Sequence, residues 1–133
     1  ETKQLKQQLL IARIPTWLEN VAMIGALPFL YVSLADFSLE DMRMVATMLE
    51  QKKPGFYFIT SNSGNQTLFY AVISAAYAIL VDMKDFSHWL ATHHNLRGGG
   101  TKNSIQGGGN LCKDNLGDDI KQWVKTYPCP LKL

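Results

Sequence analysis

Six of the chain's ten glycines fall between residues 98 and 109, in two triplets, Gly98-Gly99-Gly100 and Gly107-Gly108-Gly109. Glycine loses more conformational freedom on folding than any other residue. A compact domain holds two such triplets where backbone must approach a ligand closely, or where several positions need φ > 0. Consecutive backbone N–H groups in a loop of this kind can form an anion-binding nest. The segment also carries cations at Arg97 and Lys102, and Gln106 beside the second triplet. Phosphate is the anion this pattern suits; the competing reading is a surface loop that binds nothing. No Gly-Lys-Ser/Thr follows, which excludes a P-loop. The segment follows a helical pattern and not a strand, which sets aside a dinucleotide fingerprint.

The rest of the chain supplies the frame for this segment. Leu5, Leu9 and Ala12 recur at helical spacing, so residues 3–14 read as a helix. Pro15 interrupts it, and Thr16-Trp17-Leu18-Glu19 has the capping-box form, which predicts a second or kinked helix to about Met23. Residues 28–35 are strand-like. Ser38, with Asp41 three residues on, caps a helix whose buried face is Leu39, Met42, Val45, Ala46 and Leu49. Residues 56–60 and 67–74 are strands around a polar turn and form a β-hairpin. Residues 75–81 extend the strand or form an insertion. Phe86, Trp89, Leu90 and His93 mark a helix over 84–94, and Leu116, Ile120, Trp123, Val124 and Tyr127 a last one. The fold class is α/β: a small mixed β-sheet packed by helices, with a glycine-rich loop and an N-terminal helical segment. Residues 1–24 read as a helical linker or oligomerisation segment, and 25–133 as one globular domain.

Composition bounds the function less than charge placement does. With 133 residues and 47% hydrophobic side chains, the chain suits one domain with a real core. The net charge of +2 hides an asymmetry. Residues 1–83 carry six basic and seven acidic side chains; residues 84–133 carry seven basic and four acidic. Lys113, Lys121 and Lys125 thus lie in the basic half with the glycines, although Lys121 and Lys125 suit the solvated face of a helix equally well. The longest apolar run, 68–81, is 14 residues, short of the ~20 a spanning helix needs, so no membrane role is expected. Glu1–Gln8 is polar and shows no signal peptide. The start at Glu1, without Met and inside a helical pattern, reads as a piece of a longer protein.

Residues 10–109 resemble the C-terminal (C-Ala) domain of alanyl-tRNA synthetases, the DHH-associated domain shared with DHH-type phosphoesterases. Gly98-Gly99-Gly100 matches the end of that family's glycine run, Gln106 its glutamine, and Gly108-Gly109 its closing pair. Gly107 stands where alanine is usual. The resemblance implies a tRNA-binding module that helps hold tRNA(Ala) for aminoacylation and editing, through the outer corner of the L. It implies a partner in the rest of a synthetase chain and a cytoplasmic or organellar location; pairing with a second copy through the N-terminal helix is read from residues 3–14 themselves. The site it implies is Arg97, Gly98, Gly99, Gly100, Lys102, Gln106, Gly107, Gly108 and Gly109, extended by Lys113, Lys121 and Lys125. The alternatives are the substrate-binding lobe of a DHH-type phosphoesterase and a helix-mediated assembly module.

Nothing in the chain points to catalysis by the fragment alone, although the parent it resembles is an alanine–tRNA ligase. His93 and His94 are adjacent on a helix and point about 100° apart, so they do not converge on one ion. Asp118 and Asp119 suit the first turn of a helix. Cys112 and Cys129 read as reduced thiols in a cytosolic protein. No metal and no cofactor is expected. Trp89 and Trp123 read as core, and Trp17 as packing against a partner outside the chain.

Overall fold

The β-hairpin that the sequence places over residues 56–60 and 67–74 is the centre of a six-stranded mixed sheet. The structure is a computed structural model and describes residues 2–24, 27–77, 81–101, 103–110 and 116–126. The elements run α1 (Thr2–Glu19), β1 (Ala22–Ile24), β2 (Leu27–Ala35), α2 (Leu39–Lys52), β3 (Phe56–Ser63) and β4 (Gln66–Ile73). After them come a 3-10 turn (Ala75–Tyr77), α3 (Met83–His94), β5 (Leu96–Gly100), β6 (Ser104–Asn110) and α4 (Leu116–Thr126). The strand order is β1-β2-β3-β4-β6-β5. β2 and β3 are parallel and the other pairs antiparallel. A parallel pair needs a crossover, which α2 provides.

Alternation along the strands splits the core into two layers. Phe29, Phe56, Phe58, Phe69 and Ile105 face α3 and α4, with Phe86, Leu90, Ile120 and Val124 packed on them. Leu30, Val32, Tyr57, Ile59, Tyr70 and Val72 face α1 and α2, where Leu10, Ile14, Met42, Val45 and Leu49 close the other layer. Trp89 and Trp123 pack on the first layer, as their helical positions suggest. Trp17 packs on the second, so its partner is within the chain.

Of the two forms the sequence leaves open around Pro15, the structure takes the continuous one: residues 2–19 form a single helix with Pro15 inside it. Proline inside a helix costs about 3 kcal/mol, but Leu10 and Ile14 are fully buried on that helix and each contributes about 2 kcal/mol by leaving water. Asn20 then stops it by donating to the Thr16 carbonyl at 2.9 Å. The following residues, expected to be helical, form β1, which pairs with β2 and buries Ile24. The sheet therefore begins within the stretch read as helical.

The α2 start follows expectation. The Ser38 hydroxyl accepts from the Asp41 N–H at 3.2 Å, and the Asp41 carboxylate accepts from the Ser38 N–H at 3.4 Å. This capping box fixes which side chains α2 turns toward the sheet. Its last turn is held by Tyr57, whose hydroxyl donates to the Lys53 carbonyl. Burial of that phenol, with Glu50 adding like-charge repulsion, pushes its pKa from 10.0 up to about 12.

The native state thus keeps the Tyr57 proton where the unfolded chain has lost it. That contribution is complete below about pH 10 and is lost as pH rises toward about 12. Denaturant unfolding across that range will show falling stability. The Tyr57→Phe variant will show a shallower fall; an unchanged slope would remove Tyr57 as its source.

Candidate nucleic-acid interface

The glycine-rich segment is not a loop. Its two triplets are paired strands of a β-hairpin, with Arg97 opposite Gly108, Gly98 opposite Gly107, and Gly99 opposite Gln106. Among the described glycines, only Gly64 takes a positive φ, at 62°. The expected nest, which needs left-handed positions, is therefore not what the triplets build. The glycines answer a requirement the sequence does not name, the close approach of one strand to its neighbour. A Cβ on Gly98 would run into the Gln106 carbonyl oxygen, and one on Gly107 into the Arg97 carbonyl oxygen. Gly99 differs: a Cβ there meets nothing within 4 Å.

The pleat gives this hairpin two unlike faces. Leu96 and Ile105 point into the α3 layer, and the Ser87 hydroxyl on α3 donates to the Gly98 carbonyl at 3.3 Å. Arg97, Gly99, Gln106 and Gly108 lie on the other face, by register with Leu68 and Tyr70 of β4. Arg97 and Gly99 are exposed there. A residue absent from the sequence-derived set reaches this face. Arg43 of α2 donates from its guanidinium to the Gln106 side-chain carbonyl at 3.0 Å and lies 6.0 Å from the centre of the Tyr70 ring. Its position was readable in part. Met42 is buried, and the next residue on a helix sits at the border of the buried stripe. Nothing in the sequence says which strand lies beneath it.

The structure brings together Arg97, the six glycines and Gln106. It places Lys121 elsewhere. That side chain lines a cavity of about 260 Å³ with Asn20, Phe29, Tyr31, Gly117 and Asp118. The cavity lies toward β1 and β2, across the sheet from the hairpin. Lys125 is on α4. Lys102 and Lys113 lie outside the described residues, as do Cys112 and Cys129.

Among the described residues, no group of three or more His, Cys, Asp or Glu side chains could hold a metal. His94 instead ties α3 to α4, with its Nε2 3.3 Å from an Asp119 carboxylate oxygen. Asp118 and Asp119 do occupy the first turn of α4. No helix among the described residues is long and apolar enough to cross a membrane.

This arrangement has been seen before. The chain shares its fold with the C-Ala domain of alanyl-tRNA synthetase from Aquifex aeolicus. The TM-score is 0.68 at 24% identity, over 79% of this chain and 95% of that one. RecJ from Thermus thermophilus, solved in complex with Mg2+, matches at a TM-score of 0.53 and 17% identity, over 95% of this chain and 18% of its own length. The DHH domain of a member of the s1p family of ribosomal proteins matches at 0.54 and 12%, over 93% of this chain and 30% of that one. No protein-family model and no curated protein matches the chain.

The geometry separates the glycines the fold requires from the one it does not. Gly98→Ala and Gly107→Ala will each destabilise by at least about 2 kcal/mol, because a backbone carbonyl must move. Gly99→Ala will change stability by no more than about 1 kcal/mol. Urea titrations of the three variants test this, and equal losses at all three positions would refute the strand geometry.

Proposed function

We propose that this chain is a tRNA-binding module of the alanyl-tRNA synthetase C-terminal type, helping to hold tRNA(Ala) for aminoacylation and editing. The observation that carries the reading is the open face of the glycine hairpin, where Arg97 stands beside bare backbone in a fold shared with a C-Ala domain. RNA helices and corners are recognised mainly by shape and by contacts to phosphate and ribose. A side-chain-poor strand with a cation at its rim suits such contact. Lys102, next to the hairpin in sequence, adds charge, and Lys113 extends the contact along the tRNA.

A modest charge suits this role. A contact tethered to stronger sites raises their effective concentration without binding tightly itself. The partners under this reading are tRNA, the remaining domains of a synthetase chain, and a second copy joined through α1. The likeness to RecJ and to a DHH domain favours one alternative, the substrate-binding lobe of a DHH-type phosphoesterase. That lobe would take a nucleotide or a short oligonucleotide in preference to folded tRNA.

Fluorescence anisotropy with a folded tRNA(Ala) transcript and with a four-nucleotide RNA will separate the two. The expected result is weak binding to the tRNA that falls as salt rises. The Arg97→Ala/Lys102→Ala double variant will weaken it further, with little binding to the short RNA. Salt-independent binding, or no loss in the double variant, would overturn the proposal; preference for the short RNA would support the phosphoesterase lobe.

A further inference from the structure

From the placement of Gly99 we infer that the hairpin has one working face, the α2 side, and that Arg43 and Gly99 form a phosphate seat there together with Arg97 and Gln106. This rests on the nucleic-acid reading above and adds Arg43, which the sequence does not single out, to Gly99, Arg97 and Gln106. The ligand is a phosphodiester of an RNA backbone.

Three observations converge on this strip. First, Gly98 and Gly107 are glycine because a side chain would strike the neighbouring strand, but Gly99 has open space where its side chain would be. Glycine weakens a strand interior, and packing does not explain it at Gly99. Close approach of a ligand to the backbone would. Second, Gly99 lies directly across from Gln106, and Arg43 donates to the Gln106 side-chain oxygen at 3.0 Å. That contact occupies the Gln106 acceptor and leaves its amide N–H donors for another group. It also holds Arg43 beside the hairpin, over Tyr70. Third, Arg97 is two residues before Gly99 on the same strand, hence on the same face. The floor at Gly99 is therefore bordered by cations from two separate elements, with an amide donor between them.

The opposite face is built differently: Leu96 and Ile105 are buried on it against the α3 layer, and Ser87 of α3 engages the Gly98 carbonyl, while Gly98 and Gly100 stay exposed. Lys84 is an exposed cation on that helix and provides an equal-charge control.

Arg43→Ala, Gly99→Leu and Lys84→Ala in the 133-residue chain, titrated with the tRNA(Ala) transcript at several salt concentrations, test the proposal. Arg43→Ala will weaken binding about tenfold at low salt and lower the salt slope by about one. Gly99→Leu fills the floor without touching charge, and will weaken binding by a similar factor with an unchanged salt slope. Lys84→Ala will alter affinity less than about threefold. Circular dichroism melts within a few degrees of the parent will show that each variant is folded. Loss of binding equal in Arg43→Ala and Lys84→Ala overturns the face assignment, because net charge then accounts for both. Full binding by Gly99→Leu overturns the floor. Absence of tRNA binding by the parent chain refutes the nucleic-acid reading itself. Parent binding that is weakened by Arg97→Ala/Lys102→Ala but not by Arg43→Ala or Gly99→Leu refutes only this inference.

Discussion

The pairing of Gly98 with Gly107 is a contact between two backbones with no side chain between them, and the end of the sheet depends on it. A single methyl at either position would occupy the space of a neighbouring carbonyl. Were the two strands held apart, Leu96 would leave the aromatic layer and α3 would lose part of the floor on which it packs. The absence of side chains therefore has two effects. On one face it allows α3 to come down close enough for Ser87 to reach a strand carbonyl. On the other it leaves a shallow surface whose relief comes from Arg97, Gln106 and Arg43.

Much of this was legible in the sequence. The α2 start was, because a capping box is local chemistry and its hydrogen bonds form between neighbours in the chain. The β3–β4 hairpin was, because two apolar runs around Gly64 and Asn65 have few other ways to fold. Residues 22–23 read as the end of a helix, and the glycine triplets as a loop, when each is judged by local propensity. Tertiary pairing overrides propensity in both places, with β2 in the first and with β4 in the second. Glycine's positive-φ use and its close-approach use are also indistinguishable in a one-letter string. Only the register tells which of the two is at work.

The site was half legible for a related reason. Counting charge along the chain places the cations with the glycines in the basic half. Arg43 belongs to the acidic half, 63 positions from Gln106, and meets it only because β6 inserts between β4 and β5. Lys121 shows the converse. It lies in the basic half and yet stands across the sheet from the hairpin. Sequence proximity to a motif is a poor guide to membership of its site when the intervening elements cross the sheet.

The strand order also sets where the domain's stability resides. β2, β3 and β4 are flanked on both sides by strands and roofed by helices on both faces. β5 is an edge strand held only by β6, and of the hairpin's described side chains only Leu96 and Ile105 are buried. With little apolar surface to bury, that hairpin belongs to the low end of the local unfolding scale, and amide exchange will reach it before the central strands. A surface of this kind is soft until something rests on it. Contact with a ligand would then be felt as ordering of the hairpin and of α3 beneath it, so occupancy and local order would rise together.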